Sequence, residues 1–581
     1  MACISTRAYG TVAAPPDPAS LYARRKTIRR WSIIGTSTAL LVAVAVVAAV
    51  SISGHKSNSG GNVDAGAGSA PASLSTAIKA VCSGTLYPNS CLATLAPIVN
   101  SPDRALDPVK LFHVSAQAAI AELSKVSGSL QSLTVNGTTD RMSTLALDAC
   151  YELIELAIDH LNNSITSNGT GGGLPADDQR SWLSAAITYQ HTCMDAFDFD
   201  SAAAPLLKER VFFSLKNSTE FASNSLAIFN QVYSLFGSVG DVAGADDVGG
   251  FPAWVPTKDR KLLQSTPADP RKIADIVVAS DGSGRYRSIK AALAAVKEKS
   301  EKRTIIYVKK GVYFENVRVE KNKWNVMLVG DGMGFSVVSG KLNVVDGTPT
   351  FSTATVAVFG KGFIGRDITF RNTAGPAKQQ AVALMSDSDQ SAFYRCRFDA
   401  YQDTLYTHSL RQFYRDCEIY GTVDFIFGNA AAVLQSCTIL PRRPIQGQQD
   451  TITAQGKTDP NQNTGISVHQ CTVKPYGDLT GVRVYLGRPW KPYSTTVFMK
   501  SSLAGIIDPA GWLPWTGNSA PDTIFYSEYQ NFGAGASTAK RVKWKGLRTM
   551  DVRQASKFTA AAFVGGDSWV PKAGVPYKSG L

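Results

Sequence analysis

Apolar and polar positions along the chain fall into three regimes. The first is a stretch from Trp31 to Gly54 with no charged residue. About 20 consecutive apolar residues span a bilayer, so the pattern predicts a transmembrane segment over 31–53 after a tail of 1–30. Arg24, Arg25, Lys26, Arg29 and Arg30 stand just before it, which keeps the tail cytosolic and sends the rest of the chain across. A cleaved signal peptide fits the same start, since Ala and Ser follow the apolar run. The length of the run favours a single-pass signal-anchor. Residues 54–73 are rich in Gly, Ser and Ala and read as a linker.

The second regime, 74–236, has helical periodicity. Leu147, Tyr151, Ile154, Ile158 and Leu161 recur at three- and four-residue intervals, as a buried helical stripe requires. Another amphipathic segment follows Asp178, a candidate N-cap, and a third occupies 211–236. Cys82, Cys91, Cys150 and Cys193 would staple such a bundle in any of three pairings. Residues 237–264 are Gly- and Asp-rich, then carry Pro252, Pro256 and the tetrad Arg260-Lys261-Leu262-Leu263. A dibasic pair in a linker is either a solvated charge pair or a processing site.

From 265 to 581 the period shortens. Runs such as DIVVA, TIIYVKKGVY, VMLVG and FIGRDITF alternate with Gly, Asn and Asp. One phrase returns as FYRCRF (393–398), FYRDCEI (413–419), LQSCTI (434–439) and VHQCTV (468–473). Its cysteines, Cys396, Cys417, Cys437 and Cys471, are 21, 20 and 34 residues apart. Repeats of this length without helical patterning predict a parallel β-solenoid, the longer step holding an inserted loop. Stacked cysteines, about 4.8 Å apart, come within reach of disulfide formation.

Charge divides along the same lines. The whole chain carries +13, an excess that by itself suits nucleic acid, a membrane surface or an acidic polymer. Six basic residues against one acidic give 1–30 a net +5, whereas 10 against 19 give 54–257 a net −9. The remainder from 265 holds 40 basic and 25 acidic residues, +15. Eight of the nine cysteines follow the apolar segment, and only Cys3 precedes it. An even number there suits an oxidising, exported environment. The sequons at Asn136, Asn162, Asn168 and Asn217 all fall in the acidic region and are candidate glycosylation sites.

The solenoid period also aligns polar residues. Gln380 precedes Gln402 by 22 positions and Asp403 precedes Asp424 by 21. Two neighbouring carboxylates separate their pKa values, giving an acid and a base or nucleophile. Adjacent amides can hold an oxyanion. A ladder of Asn and Asp capping solenoid turns would look similar. Neither H-E-x-x-H, G-x-S-x-G nor a P-loop occurs. His408, the one histidine near the Asp pair, reads as a structural hydrogen-bonder.

Five short motifs decide between these readings: GVYFE (311–315), QAVAL (380–384), YQDTL (401–405), DFIFG (424–428) and LGRPW (486–490). With VVASDGSGRYRSIKAAL (277–293) before them and FVGGDSWVPKAGVPY (563–577) after, nearly all of 270–577 resembles the plant pectin methylesterases. The resemblance implies a right-handed parallel β-helix that hydrolyses methyl esters of homogalacturonan without a metal or organic cofactor. It makes Asp424 the nucleophile, Asp403 the acid–base, Gln380 and Gln402 the oxyanion donors, and Arg488 the partner of Asp424. It makes Trp490 a sugar-stacking residue, with Tyr406, Phe427 and Trp512 further aromatic candidates.

Residues 74–236, with four cysteines and TCMDAF (192–197), resemble the plant invertase and pectin methylesterase inhibitor domain, an all-α four-helix bundle. That implies the pairs Cys82–Cys91 and Cys150–Cys193, and we expect Cys437–Cys471 and Cys396–Cys417 in the solenoid. A two-domain precursor follows. The resemblance implies that the pro-region silences the enzyme until a subtilisin-like protease cuts at Arg260–Leu263, after which the basic remainder would enter the cell wall. Methyl-esterified pectin, the pro-domain itself and separate inhibitor proteins are the implied partners, and nucleic acid is not. Another pectin-active solenoid, a polygalacturonase or lyase, and a non-catalytic pectin-binding or inhibitor protein are the alternatives.

Overall fold

The computed structural model describes residues 74–99, 108–133, 140–166, 175–199, 204–240 and 269–581. The tail, the apolar segment 31–53, the first linker, the second linker from residue 241 to 264 with the tetrad Arg260–Leu263, and Asn136 and Asn168 lie outside the described residues, whereas residues 237–240, expected as linker, continue a helix. No helix among the described residues is long and apolar enough to cross a membrane.

Two compact units, 1–111 and 112–581, divide the chain. In the first, helices α1 (Leu74–Ser83) and α2 (Pro88–Val99) are joined by the Cys82–Cys91 disulfide. Four more helices follow along the chain, α3 (Pro108–Leu133), α4 (Arg141–Ile165), α5 (Ala176–Asp195) and α6 (Ala204–Gly240). Asp140 caps α4, its carboxylate accepting from the Ser143 amide at 2.8 Å. Cys150 of α4 and Cys193 of α5 form the second disulfide.

Two details of the helical pattern change. Tyr151 turns outward, and Cys150, Leu153 and Ala157 take the buried stripe between Leu147 and Leu161. Asp178 is not the N-cap of α5. The helix begins at Ala176 after Pro175, and the Asp178 carboxylate instead meets Arg411 at 2.5 Å. A tertiary ion pair has displaced the local cap.

Beyond residue 269 the chain winds into three parallel sheets of 11, 7 and 8 strands. Most strands are short and carry a β-branched or aromatic residue, and they pair in parallel with their equivalents one turn away. Ser391–Tyr394, for example, aligns with Gln412–Arg415. Interior side chains stack in the same register, as in Phe393 on Tyr414 with ring centroids 4.9 Å apart.

The repeated cysteine phrase is a corner. Asp367, Arg395, Asp416, Ser436, Gln470, Lys500 and Gln530 all sit in the left-handed region, with φ between 48° and 55°. Each such residue turns the chain from the 11-stranded sheet toward the next face. Cys396, Cys417, Cys437 and Cys471 come immediately after four of these corners, all buried and all unbridged. The expected Cys396–Cys417 and Cys437–Cys471 disulfides are therefore corrected. Stacked residues point the same way, so their Cβ atoms keep the strand spacing of about 4.8 Å, whereas a disulfide needs about 3.8 Å. The thiols bond to carbonyls of the preceding turn instead, Cys417 Sγ to Phe393 O at 3.4 Å and Cys471 Sγ to Leu434 O at 3.3 Å. Burial pushes the Cys417 and Cys471 thiols well up, away from reactive thiolate.

Candidate active site

The seven-stranded sheet builds the site. Its strands Leu384–Ser386, Leu405–Thr407, Ile426–Gly428 and Asp450–Gln455 align through Leu384, Leu405, Ile426 and Thr453. Asp403 and Asp424 each stand two residues before their strand, so they occupy the same position on successive turns. Thr451 holds that position on the next turn. Gln380 and Gln402 need one further device. The Thr404 carbonyl accepts from both Ala383 (2.9 Å) and Leu384 (3.3 Å), which absorbs one residue. The Ala381 amide then bonds to Gln402 O at 3.2 Å, leaving Gln380 opposite Gln402.

Arg488 follows the strand Val484–Gly487 and reaches back to Asp424. Its Nε donates to Oδ1 at 2.9 Å and its terminal nitrogen to Oδ2 at 2.7 Å, a two-pronged pair. The Thr451 hydroxyl donates to Asp424 Oδ1 at 2.6 Å and accepts from the Asp424 amide at 2.8 Å. The Asp424 carboxylate is thus fixed by three donors. Asp403 has no such support. Burial, and next the negative charge of Asp424, hold its carboxyl well above the ordinary value, and Arg488 offsets this only in part. The pair is one carboxyl group fixed by three donors beside one whose protonated form is favoured by burial. Gln380 Oε1 is buried without a hydrogen-bond partner among the described residues.

Aromatic rings extend from this centre. Tyr406 stacks on Phe427 at 4.1 Å, Phe427 faces Trp490 at 6.2 Å, and Trp490 faces Trp515 at 6.5 Å. Gly456 makes room for Trp490, because a Cβ there would lie 2.8 Å from the indole ring. Trp512 does not join this surface. It is 1% exposed and packs on Tyr526 and Phe498 in the solenoid core. Trp515, three residues later, lies beneath the Arg488 guanidinium at 4.3 Å and takes the place expected for Trp512. The sequence repeats Trp in WLPW, but no periodicity says which ring turns inward.

Helix α5 lies over the rings. Thr192 Oγ1 is 2.9 Å from His408 Nε2, and the other ring nitrogen of His408 is 3.1 Å from Asp387. Tyr189 donates to Asp387 at 3.0 Å and Asn429 to Thr188 at 2.9 Å. Lys491 donates to Asp195 at 2.6 Å. Three further acids of the helices meet bases of the solenoid: Asp178 with Arg411, Glu152 with Arg318, and Asp159 with Lys321. Four acids of the acidic region thus meet four bases of the basic one. Thr451, Trp515, Lys491 and Asp195 are the site residues that sequence reasoning missed. Asn162 and Asn217 are exposed on α4 and α6.

Comparison with known proteins agrees with this architecture. The family described as Pectinesterase matches residues 275–567, and Plant invertase/pectin methylesterase inhibitor matches 76–228. Putative pectinesterase/pectinesterase inhibitor 24 of Arabidopsis thaliana is 53% identical over 97% of this chain and 97% of its own. Pectinesterase 3 of Phaseolus vulgaris is 47% identical, with 88% of each chain covered. Among solved structures, a pectin methylesterase from carrot is 53% identical with a TM-score of 0.53, covering 53% of this chain and 98% of its own.

Proposed function

The chain belongs to the pectinesterase family and carries an inhibitor-type region ahead of its esterase, and we propose that Asp424 and Asp403 divide the hydrolysis of pectin methyl esters between them. Asp424 attacks the ester carbonyl carbon, and the amides of Gln380 and Gln402 receive the oxyanion. Collapse expels the methoxy group, which takes the proton of Asp403 and leaves as methanol. Asp403, now ionised, removes a proton from water. The resulting hydroxide attacks the acyl carbon, and the acid product departs as Asp424 regains its carboxylate. Arg488 and Thr451 keep Asp424 aimed. Trp490, Phe427, Tyr406 and Trp515 offer rings to sugar faces.

The observation that carries this reading is the contrast between Asp424, held by Arg488 and Thr451, and Asp403 one turn away, whose protonated form is favoured by burial. Glycoside hydrolysis would also use a protonated carboxyl beside a carboxylate, so the family match is what disfavours chain scission and passive binding. Asp424→Asn should reduce methanol release by orders of magnitude while pectin binding persists. Near-normal methanol release from that variant would refute the assignment.

The helical region acts as an autoinhibitor in this reading, because α5 covers the rings that sugars need. It is a four-helix bundle and the solenoid is right-handed. Cleavage at Arg260–Leu263 by a subtilisin-like protease separates the regions, after export by the signal-anchor 31–53 and glycosylation at Asn136, Asn162, Asn168 and Asn217. The freed basic solenoid stays in the cell wall by charge, where separate inhibitor proteins can meet it. Blocking the cut by changing Arg260 and Lys261 should leave the full-length form in the secretory pathway. Export of a mature-sized protein from that variant would refute the processing step.

A further inference from the structure

The last turn of the solenoid carries an unbalanced charge. Residues 540–557 hold seven bases and one acid, so 7 − 1 = +6 of the +15 found from 265 onward falls in this one stretch. From 509 to 566 three acids stand against those seven bases, and all three are engaged. Glu528 takes Arg541, Asp522 takes Lys545, and Asp551 caps the short helix Val552–Ser556 by accepting from the Gln554 amide at 2.7 Å. Lys540, Lys543, Arg548, Arg553 and Lys557 are left exposed, without an ion pair among the described residues. The fold holds them there. Val542 and Trp544 turn toward the core, so Lys543 and Lys545 turn outward. Arg548 sits on the final strand of the 11-stranded sheet, paired with Ser527. Ala555 packs inward, and Arg553 and Lys557, four residues apart, share the opposite face. None of the helix acids that meet solenoid bases reaches this stretch.

We infer that Lys540, Lys543, Arg548, Arg553 and Lys557 form a second binding site, apart from the cleft, for the carboxylates of de-esterified galacturonan. The choice of ligand rests on the esterase reading above. Each turnover converts a neutral ester into a carboxylate, so the product is a linear polyanion, and a row of unpaired bases attracts that form of the polymer and not the esterified one. The site stands well away from the catalytic pair. Four strand steps separate Ala431–Gln435, the strand that follows Asp424, from Leu547–Arg548, about 19 Å along the solenoid. A polymer held at this end by a de-esterified stretch presents its remaining esters to the cleft at a raised effective concentration. Because the five bases are exposed with the helices in place, the uncut chain has this site too.

The first test uses the full chain and unesterified polygalacturonate, with Kd read from retardation on electrophoresis through a gel that holds the polymer. Arg553→Gln with Lys557→Gln should weaken binding about fivefold, the scale of two exposed ion pairs. It should also make Kd less dependent on salt, because fewer counterions leave the polyanion. Lys297→Gln with Lys302→Gln removes the same charge from two exposed positions near the first strands, where Glu298 and Glu301 alternate with the bases, and should leave Kd unchanged. Equal losses in the two double variants would reduce the site to bulk charge and overturn it. Binding to anionic lipid vesicles with none to polygalacturonate would overturn the choice of partner. The second test uses the chain cut between residues 241 and 264 and stripped of its helical segment by salt. The carrot enzyme, matched over 98% of its length by 53% of this chain, shows that a chain of that extent stands alone. Arg553→Gln with Lys557→Gln should leave methanol release from short, fully esterified oligomers unchanged and raise KM for a half-esterified polymer about fivefold at low salt. An unchanged KM would overturn the role of the site during turnover. Failure of the unaltered cut chain to release methanol would instead refute the esterase reading, while retardation by polygalacturonate would still report the site.

Discussion

Removing the Asp195 carboxylate should loosen the helical segment far more than removing Asp159, although each acid ends in one ion pair with the solenoid. The difference lies in burial and in what the abandoned base has left. Lys491 and Asp195 have side chains 21% and 16% exposed, whereas Lys321 and Asp159 are 56% and 48% exposed. An exposed pair contributes about 0.2–1 kcal/mol, so Asp159→Ala should weaken association by less than about fivefold. Truncating one partner of a desolvated pair costs about 2–5 kcal/mol, largely because the other charge stays buried and alone. Partial exposure places Lys491 at the low end, about 2 kcal/mol, or roughly a 30-fold weaker Kd for Asp195→Ala. Asp178→Ala should fall between them, because Arg411 is more buried but keeps Asp389. The assay is the concentration of helical segment that halves methanol release from the cut, salt-stripped chain, measured at about 0.1 M salt, which weakens exposed charge interactions more than buried ones. If Asp159→Ala cost as much as Asp195→Ala, or if Asp195→Ala cost less than about threefold, burial would not rank these contacts and the reasoning would fail.

Other outcomes follow from single sites. The Asp450 carboxyl oxygens are buried without a hydrogen-bond partner among the described residues, and burial pushes the group from 3.8 up to about 8. The folded state therefore holds that proton more tightly than the unfolded chain, and stability falls as pH rises from about 4 to about 8. Asp450→Asn should flatten that slope and raise Tm at neutral pH by a few degrees, whereas an unchanged slope in thermal melts at pH 5 and pH 8 would contradict the burial argument. Alkylation of the denatured, unreduced protein should label Cys396, Cys417, Cys437 and Cys471 and spare Cys82, Cys91, Cys150 and Cys193. Mass spectrometry finding the solenoid cysteines unlabelled would show that they are bridged. Trp515→Ala should raise KM for pectin with little loss of Tm. Trp512→Ala should cost about 3–5 kcal/mol of stability, and a comparable Tm for the two variants would overturn their assignment to surface and core.

The legible part of this molecule was the periodic part. In a parallel solenoid each turn stacks on the last, so neighbours in space are neighbours at a fixed offset in sequence. The 21-residue step from Asp403 to Asp424 and the recurring cysteine corners could be read for that reason, and both fall on adjacent turns as expected. The motif around each Asp then carried the family resemblance. What lay beyond reach breaks the period. Thr451 follows Asp424 by 27 residues and Arg488 by 64, because loops of unequal length intervene. The direction of stacked side chains, which leaves four cysteines unbridged, depends on Cβ vectors and not on spacing. The inward turn of Trp512 and the outward turn of Trp515 depend on how a loop packs. The Asp195–Lys491 pair joins residues 296 positions apart, on a helix and on a sheet with no common repeat. Sequence alone determined the repeating scaffold and the acid pair it carries. Only the tertiary structure decided which groups hold that pair, which rings surround it and which helix covers it, because those contacts are set by packing across elements whose separation along the chain carries no period.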